Sequence, residues 1–208
     1  MRCLLLALFC HLPAALAAEP VAYDLKSLTR LEGPSFRPND KQYPAPLAAA
    51  GVQGQTLVVV PLTEDGKADG AVLGGSSRSA ELDKIALDLV RNAGIQVKEA
   101  PAKGWKAVVV SVEFQKDSVS TLKQKTCADF NTDIAYYRAT FPEQKIDSMR
   151  VFAMLTGLLY YSGGGKPEGG AVVARRAAAA RQPTIDACQA KPDALFFETW
   201  QNAVRAAS

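Results

Sequence analysis

The chain has 208 residues, with 24 Lys and Arg against 21 Asp and Glu and a formal charge of +3. This length accommodates one or two small domains. So balanced a charge argues against a nucleic-acid binder, which gathers its Lys and Arg on one face.

The first residues, "MRCLLLALFCHLPAALAAEP", have a basic start at Arg2, an apolar stretch from Leu4 to Leu12 and a small-x-small site at Ala15-Leu16-Ala17. This is the pattern of a secretory signal peptide cut before Ala18. The other reading is an uncleaved anchor, but the apolar stretch is shorter than the roughly 20 residues that span a bilayer, and Pro13 interrupts it. A lipoprotein site at Cys10 is disfavoured by the bulky Phe9 before it. Cleavage removes His11, the only histidine, together with Cys3 and Cys10. Ser-His and Cys-His nucleophiles and His-containing zinc sites are then excluded from the mature chain. Arg2 is the only Lys, Arg, Asp or Glu before Ala18, so the charge falls from +3 to +2. Cys127 and Cys188 remain as an even pair in an oxidising compartment and are expected to form a disulfide.

Residues 18–42 read as an extended, proline-punctuated lead-in, with one strand candidate at "VAYDLK". From residue 43 the pattern sharpens. "QTLVVVPLT" is a β-branched strand and "GAVLGG" a second, shorter one. The Asp-Gly residues between them supply turn chemistry. In "SRSAELDKIALDLVRNAG", Ser79 is placed to cap a helix, and Glu81 and Asp83 complement its dipole. Leu82, Ile85, Ala86, Leu89 and Val90 form one apolar stripe, and Gly94 is the stop signal. "WKAVVVSVEF" is a strand with Val108, Val110, Val112 and Phe114 on one face and Ala107, Val109, Ser111 and Glu113 on the other. The expected unit is α+β, a small antiparallel sheet with one packed helix.

From Ser118 the chain reads as helical. Phe130, Ile134 and Tyr137 share a face in "CADFNTDIAYYR", which ends near Pro142. Asp147 is the expected cap of the next helix, striped by Val151, Phe152, Leu155, Leu158 and Leu159. "SGGGKPEGG" is a loop, "AVVARRAAAAR" a helix and "TIDACQA" a separate short turn of helix. Pro192 and Asp193 mark the start of a last helix. Four helices tied by Cys127–Cys188 make an all-α disulfide-linked bundle. The expected boundaries are 1–17 signal peptide, 18–42 lead-in, 43–117 α+β domain and 118–208 helical domain.

Several motifs suggest chemistry. Glu64-Asp-Gly-Lys-Ala-Asp-Gly70 has the acidic, glycine-containing look of a calcium loop. Lys67 stands at a ligand position, however, and Ser76 where the bidentate glutamate belongs, so a hairpin turn is the better reading. Ser120 and Lys123 match the Ser-x-x-Lys pattern without its supporting elements. Pro167 after Lys166 removes the Ser or Thr that a phosphate loop needs. Arg175, Arg176 and Arg181 read as a solvated basic face with weak membrane contact as the alternative. Trp105 and Trp200 read as core or interface residues. No catalytic, metal or cofactor site is expected, and the chain reads as a non-enzyme.

The segment 43–114 resembles the C-terminal domain of the energy-transducing TonB family. The motif residues are Tyr43-Pro44, Gly51, Gly54, Asp65-Gly66, Ser76-Ser77, Leu82-Asp83, Ala86-Leu87 and Phe114. The second half is more distantly similar to small disulfide-closed helical periplasmic proteins of the HdeA-like type. That similarity rests on Thr126-Cys127 and on "IDACQAKPDALFFETW". The first resemblance implies a periplasmic protein-binding module that docks an extended partner segment by strand addition. The last strand, through Val108, Val110, Val112 and Phe114, is the implied edge, and an outer-membrane receptor is a partner of the implied kind. The alternatives are a transducer held in the inner membrane by an uncleaved anchor and a hydrolase using Ser120 and Lys123 or carboxylates.

Overall fold

The β-branched run of residues 55–60 becomes the centre of a sheet. The structure, a computed structural model, describes residues 25–162 and 169–207. The segment expected to be a signal peptide and most of the "SGGGKPEGG" stretch lie outside the described residues. Strand β1 spans Arg30–Phe36, helix α1 Ala45–Ala49, β2 Gly54–Pro61, β3 Val72–Gly75, α2 Ala80–Asn92, α3 Ala100–Lys103 and β4 Ala107–Phe114. The helices α4 Cys127–Thr140, α5 Arg150–Ser162, α6 Gly170–Ala190 and α7 Phe196–Ala206 follow.

The sheet order is β1-β4-β2-β3. β2 is antiparallel to both β3 and β4, as expected of the α+β unit, whereas β1 lies parallel to β4. One face carries Val58, Val60, Val108, Val110, Val112 and Phe114 against Leu82, Ala86 and Val90 of α2. On the other face Val59, Ala107 and Val109 are covered by Leu25, Leu28, Leu57 and Val72. Strand alternation was therefore readable in advance. The lead-in was not: most of the candidate "VAYDLK" lies outside the described residues, and a strand the reading did not name lies at Arg30–Phe36. A parallel pairing reached across more than 70 residues has no hairpin to announce it.

The motif acid Asp83 locks this unit. Its carboxylate accepts hydrogen bonds from Thr56 Oγ1 at 2.7 Å, Ser77 N at 2.8 Å, Ser77 Oγ at 2.8 Å and Ser76 Oγ at 2.5 Å. One buried side chain thus joins β2, the end of β3 and α2. Burial disfavours its charge, but the bonds from Ser76, Ser77 and Thr56 outweigh that and hold the carboxyl below its ordinary value. Ser79 caps α2, as expected.

In the helical half Phe130 stacks on Phe196 at 4.2 Å and meets Phe152 edge-on at 5.8 Å. Leu155, Ile185, Trp200 and the Cys127–Cys188 disulfide complete the core. The disulfide joins residues 61 apart and constrains a long loop of the unfolded chain, worth about 4 kcal/mol in the chain-entropy model. Thr126 opens α4 in a capping box with Asp129.

Three local expectations are corrected. The two helical pieces around Pro183 are one helix, α6. Ala177, Ala180, Thr184, Ile185 and Cys188 are buried along it, and that continuous packing outweighs the bond Pro183 forfeits. Asp147 does not cap α5; it lies in the short 3-10 turn Ile146–Ser148 and pairs with Arg181 at 3.2 Å. Helix α7 starts at Phe196 rather than at Pro192-Asp193. The intervening backbone is used by α4 instead: Ala194 and Pro192 carbonyls accept from the N–H groups of Cys127 and Ala128.

A buried ionic cluster joins the halves. Lys125 Nζ lies 2.8 Å from both Asp117 carboxylate oxygens and also donates to Asp133 Oδ2. Lys116 Nζ stands 3.5 Å from Asp133 Oδ1. Asp117, just past β4, Lys125 and α4's Asp133 are all no more than 5 % exposed. Motif glycine Gly51, at φ 73°, sits against this cluster, and a Cβ there would be 3.0 Å from Asp133 Oδ1.

Two outcomes follow from these locks. Lys125→Met leaves two buried carboxylates facing each other and should destabilise the protein by about 3–5 kcal/mol in urea unfolding, with both halves affected. Because the Asp83 carboxyl is depressed on folding, its contribution is present above the unfolded value and lost as pH falls through the folded one. The wild type should therefore lose stability more steeply than Asp83→Asn below about pH 4, as read by thermal melts across pH.

Candidate partner-docking edge

Strand addition needs a row of backbone N–H and C=O groups without partners. The expected edge, Val108, Val110, Val112 and Phe114, is not such a row among the described residues. β4 is the second strand of the sheet, paired with β2 from Gly54↔Phe114 to Pro61↔Ala107 and with β1 on its other side. The four side chains are at most 4 % exposed and belong to the core under α2. Their identity as one face was correct; their position at an edge was not, because β1 comes from the lead-in.

The pairing of β1 on β4 is uneven. Arg30, Leu31 and Glu32 match Ala107, Val108 and Val109; the register then shifts, and Ser35 and Phe36 match Ser111 and Val112. None of the seven residues of β1 is buried. Gly33 is the point of closest approach: a Cβ there would lie 2.7 Å from Val108 Cγ1 and 3.0 Å from the Val109 carbonyl. Pro34 has no N–H to offer the ladder. The strand is held at its ends. Lys106 N donates to Thr29 O at 2.8 Å, Ser35 Oγ to Glu113 Oε1 at 3.0 Å, and Arg37 Nη2 to Gln115 O at 2.8 Å and to Asp117 O. The opposite edge, β3, has only four residues and two of them are glycines.

Beside the ends of β2 and β4, a cleft of about 350 Å³ separates the sheet from the helices, with Gln53, Gln55, Ser76, Phe141, Gln144 and Arg150 in its walls. Two ion pairs bridge it. Arg150 Nη2 meets Glu113 Oε2 at 2.5 Å, and Arg78 binds Glu143 through both guanidinium nitrogens. Arg78 also donates to Thr140 O at 2.7 Å and lies 4.8 Å from the Phe141 ring centre. The Glu143 contact raises the guanidinium above, and the Arg78 contact lowers the carboxyl below, their ordinary ranges. Arg78 has φ 66°, a left-handed backbone that a non-glycine residue adopts only under constraint.

The other singled-out residues stay apart from this region. Asp65 and Lys67 pair at 2.6 Å in the turn, Gly66 has φ 80°, and Leu62 and Ala68 bridge across it. Among the described residues no cluster of three metal-ligating side chains occurs. Ser120 and Lys123 are exposed in a turn, and Ser120 Oγ is within 2.8 Å of Ser118 Oγ. Arg175 and Arg176 are exposed, whereas Arg181 lies against Phe152 and Asp147. Trp200 is core and Trp105 half-buried. No helix among the described residues is long and apolar enough to cross a membrane. Sequence reading missed Arg78 and β1, the first because a left-handed arginine leaves no local signal.

Neither curated proteins nor solved structures matched the chain. The resemblance of the helical half to HdeA-like proteins has no counterpart among the matches. A family model does match the α+β half, with the Tyr43–Phe114 motif residues, the α2-covered sheet and the Asp83 lock inside it. Residues 39–115 match the Gram-negative bacterial TonB protein C-terminal family, so this segment is a TonB C-terminal domain, a protein-interacting type of module.

Proposed function

We propose that the chain is an exported periplasmic protein whose TonB-type domain docks an extended segment of a protein partner by adding it as a strand, in connection with outer-membrane transport. The observation that carries this reading is the pairing of β4 with a strand from outside the matched segment. β1 ends at Phe36 and the match begins at residue 39. The domain's own strands are β2, β3 and β4, and the side of β4 turned away from β2 takes a strand from outside the domain, β1, along most of its length. Backbone pairing gives such docking its affinity, and alternate side-chain positions give it selectivity.

Residues 43–117 and 118–208 are read as two domains that work as one body. The Lys125 cluster and the Arg78 and Arg150 bridges support this. The helical domain then offers a second contact surface beside the sheet. Export supports the disulfide, since Cys127–Cys188 persists only in an oxidising compartment. The exposed setting of Ser120 and Lys123 favours a non-enzymatic role.

The test is site-specific photo-crosslinking in cells, with the reactive residue placed at Ser111 of β4, on the docking strand itself, or at Val119, outside the sheet. An outer-membrane protein crosslinked through an extended segment at the first position and not at the second is the expected result. Equal crosslinking at both positions, or none at Ser111, would remove the strand-addition reading. N-terminal sequencing accompanies it: a mature start at Ala18 is expected, and retention of residues 1–17 in the membrane would favour the tethered transducer.

A further inference from the structure

We infer that β1 is a removable strand that closes the partner-docking side of β4 from within the chain, and that a partner segment enters parallel to β4 in its place. This rests on the strand-addition reading and specifies how that site is regulated.

Three observations carry it. First, β1 is built from the lead-in and not from the matched domain. Second, its pairing with β4 is interrupted and exposed where β4's other pairing is continuous and buried. β2 meets β4 in eight consecutive register pairs with buried valines on both strands. β1 has an interrupted register, a proline without a donor, no buried side chain and fixings concentrated at its two ends. Segments with few buried apolar contacts and exposed hydrogen bonds occupy the low-stability end of a protein and open locally without global unfolding. Third, what β1 covers needs covering. Val108, Val110 and Val112 form a long apolar strand whose bare edge would be a template for unwanted pairing. A strand in cis protects that edge until a partner replaces it.

β1 also indicates the chemistry of its replacement. The position of Gly33 admits only a glycine against Val108 and Val109 unless those atoms move. Leu31 packs at the rim of the core beneath α2, and Ser35 offers a hydroxyl to Glu113. The partner is therefore an extended protein segment that runs in the direction of β1. It carries an apolar residue, then glycine two positions later, then a donor toward Glu113.

The test uses the full mature chain and one defined probe, a fluorescent peptide with the sequence of residues 28–38, LTRLEGPSFRP. Gly33→Val drives a side chain into Val108 and Val109 and should release β1 while leaving β2, β3 and α2 in place. Ser35→Cys with Ser111→Cys, at a register-matched pair, should lock it. Peptide binding by fluorescence anisotropy should be at least tenfold tighter to the released variant than to the wild type and undetectable in the locked one. Amide exchange in the wild type supplies a reading that needs no variant. Amides of β4 that face β1 should exchange at least a hundredfold faster than those that face β2.

Equal peptide affinity in the released and wild-type proteins, binding to the locked protein, or uniform exchange along both sides of β4 would each overturn the inference. So would a concentration-dependent dimer of the released variant that excludes the peptide, since that assigns the edge to a second copy. Failure of the underlying reading looks different. In that case the peptide and exchange results hold, but no outer-membrane protein crosslinks at Ser111.

Discussion

Lys125 is the interaction on which the rest of the structure depends. Its ammonium is enclosed between Asp117, which follows the last strand, and Asp133, which faces inward from the first helix of the helical half. Burial alone would drive such an amine toward its neutral form, but the two carboxylates more than offset that and raise it above its ordinary value. Asp133 is raised as well, because burial outweighs the attraction of Lys125 and Lys116. A cluster of this kind adds little net stability over an apolar replacement, yet it is costly to break. Its effect is geometric. It aligns the end of β4, the start of α4 and the Gly51 turn, and it sets where Arg78 and Arg150 reach across the cleft.

That alignment explains features a lone TonB-type domain would not need. Gly51 belongs to the family motif as a turn glycine, but here it also leaves room for the α4 backbone and the Asp133 carboxylate. Tyr43 donates to the Val52 carbonyl and packs edge-on against Phe114 at 5.6 Å, with its hydroxyl raised by burial and by the nearby Asp133. Motif residues therefore serve the sheet and the helical half at once. The helical half for its part uses the disulfide to hold α4 against α6 around the aromatic group of Phe130, Phe152 and Phe196.

The sheet itself is a three-stranded domain completed by a fourth strand of different origin. The three are bound through buried valines and the Asp83 lock, and the fourth through its ends. This difference in attachment gives the proposed function its site and the proposed regulation its moving part. The Asp-Gly turn at Asp65-Gly66 stands outside both. It reverses the chain between β2 and β3, and Gly66 lies close to the Val97 carbonyl while its own carbonyl accepts from the Val97 N–H at 2.9 Å.

The sequence by itself determined whatever depends on near neighbours. The alternation of Val108 to Phe114, the stripe of α2, the cap at Ser79, the hairpin turn and the family motif are all periodic or local. They survived unchanged in the fold. The pairing of Cys127 with Cys188 was also expected without geometry, since these are the two cysteines that lie beyond the first 17 residues. Tertiary structure decided what depends on distant partners. Pro183 remains within α6 because packing on one side of the helix exceeds its local cost. Pro192 does not start α7 because α4 uses that backbone. Arg78 adopts a left-handed conformation to reach Glu143. Above all, β4 is an inner strand and not an edge, because parallel pairing with β1 joins residues more than 70 positions apart. Backbone hydrogen bonding is indifferent to side-chain identity, so no local pattern in the lead-in could announce that contact.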